Sequence, residues 1–333
     1  MQPQTSNEVF YKRAVTALGI GTLFFLLFLL LISGAVAALT FFLAVLPFPS
    51  VIAKLIYQLT YGALYLAAFL CPIPIMKGLT RARGLPWQAV RTDRGMSRYL
   101  PLIVLGGITV ILAQSYLNAG LVSFFDFDRL FDSTLPSTDG KMTGLDLLLS
   151  LLVMAAIPAF CEEFLFRGAI LGNLLPFGRG TAVLVSALAF GLMHQNPAQF
   201  LYAFGAGILL GTVYERTGSI WNCVALHFCN NATSVLATAL PQWLGEEKGT
   251  VVLLILDALL IVFLPRRASR KPDVRDGAFG RSLPQADGYA AYRVEPARSV
   301  RLLLNSPFGV FLIACAVMGI LTMLTLMLAG SMV

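Results

Sequence analysis

The sequence predicts an all-α fold, a polytopic transmembrane helical bundle of about eight to nine spans. Three observations predict it. The 333 residues are 57% hydrophobic and 12% charged, with a mean hydropathy of +0.78, against roughly 45–50% apolar and 25% charged in soluble domains. Apolar runs recur that could cross a hydrocarbon core of about 30 Å, which takes about 20 helical residues. The basic residues also segregate by loop. A soluble globular enzyme, a secreted disulfide scaffold and a disordered chain are excluded, and the runs lack the alternation of an outer-membrane barrel.

The candidate spans lie at 14–46, 51–76, 99–122, 144–175, 181–195, 198–214, 219–244, 249–264 and 307–330. The first follows Lys12 and Arg13 and contains Ala35-Val36-Ala37, which resembles a signal-peptide cleavage site. Its hydrophobicity runs on through Leu46, beyond the 7–15 residues of a signal-peptide core, so a retained span is expected. The second and third are separated by the basic stretch 77–98. Before the fourth, the loop 123–143 carries Asp126, Asp128, Asp132 and Asp139. It reads as a solvated loop, since the spacing is not that of an EF-hand. The fifth should end at Gln195-Asn196-Pro197, the sixth holds a GxxxG at Gly207 and Gly211 suited to close packing within the bundle, and the eighth carries Asp257. The segment 266–301, rich in Arg, Asp, Gly, Ala and Pro, reads as a flexible linker, which makes the last span an appendage. The expected division is N-terminal helices at 1–143 with a cytoplasmic loop at 77–98, a core at 144–264, a basic cytoplasmic linker at 265–301 and a last helix at 302–333.

With the N-terminus cytoplasmic, nineteen of the 24 Lys and Arg lie on the cytoplasmic side, four outside (Lys54, Arg129, Lys141, Lys248) and Arg167 within a span. This is the positive-inside distribution, and it accounts for the net charge of +7 without nucleic acid. The five cysteines are odd in number, contain no CxxC pair and read as small buried hydrophobes. Cys223 and His227, four apart, have ligand-like spacing, but one such pair is weak support for a metal site. There is no internal repeat and no nucleotide-binding loop.

Chemistry concentrates in 144–245. Glu162, Glu163 and Arg167 fall within one apolar helix, where each charge costs about 2.5–3.5 kcal/mol on insertion scales. Glu163 and Arg167, four apart with the acid first, form an internal ion pair. Glu162 is left over, a candidate general base. The only two histidines, His194 and His227, both lie in apolar spans of this region, and Asn231 shares a helix face with His227. At about 1.5 Å per residue, Glu162, His194, His227 and Asn231 fall roughly 12–20 Å below the cytoplasmic surface. Three helices thus converge on one layer.

EExxxR at Glu162 to Arg167, FxxxH at Phe190 to His194 and HxxxN at His227 to Asn231 resemble, in order, the three motifs of the CPBP family. These are intramembrane proteases of the CAAX prenyl protease 2 (type II CAAX endopeptidase) and bacteriocin-processing type. The likeness covers roughly 140–245. It implies an intramembrane endopeptidase of about eight helices whose cavity opens to membrane and cytosol. Glu162 would activate a water with help from His194, His227 and Asn231 would stabilise the oxyanion, and Glu163 and Arg167 would hold their helix in register. The implied partners are membrane lipids and a membrane-associated protein or peptide substrate. The family is often described as metal-dependent, and Glu162, Glu163, His194 and His227 could ligate zinc. HExxH is absent, however, and a metal-free glutamate mechanism is favoured. Two other classes compete. One is a non-catalytic scaffold or immunity protein like the lysostaphin resistance protein A-like relatives. The other is a carrier dependent on Asp257, against which the lack of an inverted repeat argues.

Overall fold

The computed structural model describes residues 6–92, 95–97, 99–124, 142–249, 251, 252, 255 and 294–330. Asp257, nearly all of the predicted 249–264 span, the four aspartates of the outer loop and most of the basic linker lie outside the described residues.

Among the described residues the chain is helical and has no strand. The first helix, α1 (Ser6–Val45), stops before Pro47 and Pro49, where missing N–H groups end a helix. α2 (Ser50–Leu70) and α3 (Pro72–Ala82) run on from one another through Cys71, which keeps a right-handed helical backbone at the proline boundary. α4 (Leu100–Phe124) follows the basic loop. α5 (Gly144–Phe177) opens with a capping box in which Thr143 Oγ1 accepts from the Asp146 N–H and Asp146 Oδ2 accepts from the Thr143 N–H. It ends at Gly178, whose φ of 147° suits glycine. α6 (Arg179–Met193), α7 (Pro197–Thr217) and α8 (Ile220–Leu244) complete the centre, and α9 (Pro296–Leu304) and α10 (Pro307–Gly330) close the chain.

Among the described residues, five helical segments are long and apolar enough to span a membrane: Ser6–Val45, Ser50–Ala82, Gly144–Phe177, Ile220–Leu244 and Pro307–Thr325. Leu100–Leu112 and Arg179–Met193 are shorter apolar helices. The predicted transmembrane helical class therefore holds, and a count of eight to nine spans is not established by these segments.

α5 is not a regular α-helix. Leu151–Ala156 and Phe164–Leu171 are π-helical on either side of the α-helical Ile157–Glu163. Pro158 has no N–H to continue the ladder, and the Ile157 N–H reaches back five residues to the Leu152 carbonyl. The second wide stretch closes with the Gly172 N–H on the Arg167 carbonyl. Both glutamates thus sit between two widened turns.

α6 and α7 form a close antiparallel hairpin. A Cβ on Gly207 would meet Ala187, and one on Gly211 would touch Val183, so the GxxxG packs inside the bundle as predicted. The last helix is not an appendage. Phe25 of α1 makes ring contacts with Phe69 of α2, Phe166 of α5 and Phe311 of α10, at 4.7, 6.1 and 6.3 Å between centroids. Phe308, Phe311 and Cys315 of α10 are all buried. The expected 265–301 linker also includes most of α9, where Arg298 pairs with buried Glu8 at 2.6 Å. Of the cysteines expected to be buried, Cys71 is exposed and Cys229 half-buried.

Candidate active site

Glu163 and Arg167 form the predicted i, i+4 ion pair, at 2.8 Å and with both side chains fully buried. The same Glu163 Oε1 accepts a 2.8 Å hydrogen bond from His227 Nδ1 of α8. Glu163 therefore does more than keep its own helix in register: it ties α5 to α8 and fixes an imidazole. Arg167 Nη2 reaches the Gly207 carbonyl of α7 at 3.4 Å, and its guanidinium lies over the Phe190 ring of α6 at 4.4 Å. One buried cation thus binds two helices, α6 and α7, to α5. Phe190 also meets the rings of His194 and His227 edge-on, at 5.2 and 5.9 Å.

Glu162 has different partners. Its Oε1 accepts from the Tyr65 hydroxyl of α2, and its Oε2 lies 3.8 Å from His227 Nε2, too far for a hydrogen bond. Sequence reasoning missed Tyr65. Its signal was an aromatic at every fourth residue of α2, Tyr57, Tyr61, Tyr65 and Phe69, whose rings follow one another along the helix at 6.2, 5.9 and 4.5 Å.

His194 caps the C-terminus of α6, and its Nδ1 lies 2.8 Å from the Phe190 carbonyl oxygen. A carbonyl only accepts, so Nδ1 carries the hydrogen and Nε2 of the neutral ring keeps its lone pair. His194, His227 and Asn231 line one cavity of about 200 Å³, together with Gln199, Tyr202 and Asn230. At about 30 Å³ per water this corresponds to about seven waters. Tyr202 donates to Asn230 at 2.8 Å, and Asn230 Nδ2 donates to Asn231 Oδ1 at 3.2 Å. That relay engages the Asn231 oxygen and leaves its amide nitrogen as the donor. The sequence reading did not single out Tyr202, Gln199 or Asn230.

The residues expected on three helices are thus brought together: Glu162 and His227 face each other, and His194, His227 and Asn231 share a cavity wall. As a zinc site the set fits poorly. Glu163 Oε1 is engaged by Arg167 and His227, and among the described residues no three His, Cys, Asp or Glu side chains are grouped to hold a metal ion. Cys223 turns its thiol to the Leu210 carbonyl at 3.4 Å, so it does not pair with His227 as a ligand.

Two buried carboxylates, Glu162 and Glu163, thus flank His227, which with His194 and Asn231 lines a polar cavity among apolar helices. Residues 144–233 match the family described as type II CAAX prenyl endopeptidase Rce1-like, a protease family, and this stretch, about a quarter of the chain, is a domain of that family. No curated protein and no solved structure matches the chain.

Proposed function

We propose that the protein is an intramembrane endopeptidase of the glutamate type, hydrolysing peptide bonds of membrane-associated polypeptides. Prenylated CAAX-type proteins are the substrates that the family description implies. The charge split supports a cytoplasmic N-terminus, and in a bacterium the site would be the inner membrane. The observation that carries the reading is Glu162, buried in mid-helix, with a tyrosine hydroxyl on one oxygen and an imidazole opposite the other.

In this scheme Glu162 takes a proton from a water, the water oxygen adds to the scissile carbonyl carbon, and the proton passes to the departing amine as the C–N bond breaks. His194, with its free Nε2, holds the water. His227 and Asn231 donate to the oxyanion. Because His227 Nδ1 donates to the Glu163 carboxylate, donation from Nε2 to the oxyanion uses the ring with a hydrogen on both nitrogens.

The test compares protein termini in membranes carrying the wild type or Glu162→Gln at equal levels. New termini confined to the wild type are expected, since removing a general base costs about 10²–10⁴-fold. Identical termini with both proteins inserted and folded would refute the endopeptidase reading.

A further inference from the structure

An amide can meet a developing negative charge with its NH₂ group or, turned over, with its oxygen, and the two faces have nearly the same shape. Only the first stabilises an oxyanion. Asn231 therefore needs a partner that decides which face looks into the cavity. For His227, the other donor of the proposed site, Glu163 makes that decision by anchoring Nδ1 at 2.8 Å. Asn231 is held by neutral groups instead. Its Oδ1 accepts from Asn230 Nδ2 at 3.2 Å, and Asn230 Oδ1 accepts from the Tyr202 hydroxyl at 2.8 Å.

A chain of two amides can run in either direction. If both turned over, Asn231 would donate to Asn230, Asn230 would donate to the phenol oxygen, and the Asn231 oxygen would face the cavity. The tyrosine breaks the tie. Its hydroxyl hydrogen needs an acceptor and Asn230 Oδ1 takes it, whereas a phenol oxygen is a weaker acceptor than an amide carbonyl. Donation from Tyr202 thus holds Asn230, which holds Asn231, and all three line the same cavity.

Tyr202 is itself fastened from another helix. Gln114 Nε2 of α4 donates to the carbonyls of Leu201 and Tyr202, at 2.6 and 3.0 Å. Gly205, one turn on, makes this possible, because a Cβ there would fall on the Gln114 amide. The turn of α7 that carries Tyr202 is therefore tied to α4, and its hydroxyl reaches α8 from a fixed base.

We propose that Tyr202, acting through Asn230, is a positioning residue for Asn231 that keeps the NH₂ face of its amide toward the scissile carbonyl. The inference rests on the endopeptidase reading, in which Asn231 donates to the oxyanion. Neither Tyr202 nor Asn230 is a fixed position of the three motifs.

The test compares wild type, Tyr202→Phe, Asn231→Ala and the double variant by the rate at which Glu162-dependent termini form in membranes. Tyr202→Phe keeps the ring and should slow cleavage roughly 2- to 10-fold, the range of one neutral hydrogen bond. Asn231→Ala should slow it about 10²–10³-fold, as loss of an oxyanion donor does. On the Asn231→Ala background, Tyr202→Phe should change nothing further, since the amide it acts through is gone, whereas a merely structural loss would recur there in full. Asn230→Asp keeps an acceptor for Tyr202 but, while ionised, has no hydrogen for Asn231, and should slow cleavage at least as much as Tyr202→Phe. A second readout needs no cleavage. In detergent, with isotope-labelled asparagine side chains, the Asn231 amide signals, assigned by their loss in Asn231→Ala, should shift in Tyr202→Phe. An unchanged cleavage rate in Tyr202→Phe, an equal loss from it with and without Asn231, or unshifted Asn231 signals would overturn the proposal. Shifted Asn231 signals in a protein that yields no Glu162-dependent terminus would instead refute the endopeptidase reading and leave the Tyr202–Asn230–Asn231 chain in place.

Discussion

Glu162 and Glu163 are adjacent and have unlike surroundings. Glu163 faces a guanidinium and an imidazole, whereas Glu162 faces a hydroxyl and an imidazole edge. The first is held by two cationic-type side chains, and the second by a hydroxyl that can be removed alone. Tyr65→Phe removes the hydroxyl while keeping the ring that stacks on Phe69. A hydrogen bond to a charged group is worth about 1.5–3 kcal/mol, so Glu162-dependent cleavage should fall roughly 10- to 100-fold. The thermal midpoint in detergent should stay close to wild type, and an unchanged cleavage rate would remove Tyr65 from the machinery. Arg167→Ala should act the other way. It strands the fully buried Glu163, a change that costs about 3–5 kcal/mol in buried pairs. Folded yield should drop before any activity can be read, and a stable Arg167→Ala protein would show that Glu163 does not need the guanidinium. The ion pair was legible from spacing alone. The link from Glu163 to His227 was not, because it joins residues 64 positions apart and depends on the rotation of α8 about its axis.

At the scale of helices, proline, glycine and charge placed most ends well: α1 stops before Pro47, α6 ends at the turn before Pro197, and α5 is capped at Thr143. The π-helical stretches of α5 were hidden. Widening a turn by one residue changes which side chains share a face, and a run apolar on every face carries no period to reveal it. The α6–α7 contact offers a direct check. Gly207→Val would push its side chain into Ala187 and displace the carbonyl that receives Arg167. Overpacking of this kind costs about 1–3 kcal/mol, so both the thermal midpoint and cleavage should decline. Gly180→Ala, in the first turn of α6 with nothing within 4 Å of a new Cβ, should leave both unchanged or slightly raise stability. Equal midpoints for the two variants would mean that the hairpin does not depend on close backbone approach.

The whole molecule is organised around α5, with α2, α6 and α8 supplying the site and α1 and α10 closing the far side. Composition identified the bundle, and the order of the motifs identified its centre, but neither could say that the last helix belongs to it. Sequence separation suggested otherwise: a long basic stretch stands between α8 and α10, and a helix after a linker reads as independent. Packing decides the matter. Gly19 of α1 sits against the backbone of Pro307 and Phe308, leaving no room for a side chain, and Phe25 one and a half turns on meets Phe311. Association between helices in lipid depends on such close van der Waals fit. Gly19→Leu should therefore wedge α10 away from α1 at its first turn, expose Phe308 and Phe311, and lower the thermal midpoint of the full chain in detergent. The hydrogen bonds and ring contacts of Glu162, Glu163, His194 and His227 include no α10 residue, so the fraction that remains folded should retain Glu162-dependent cleavage. A midpoint identical to wild type would return α10 to the status of an appendage. A folded but inactive Gly19→Leu protein would show instead that α10 is coupled to the site, through the Gly319 face that backs the Gln195 turn beside His194.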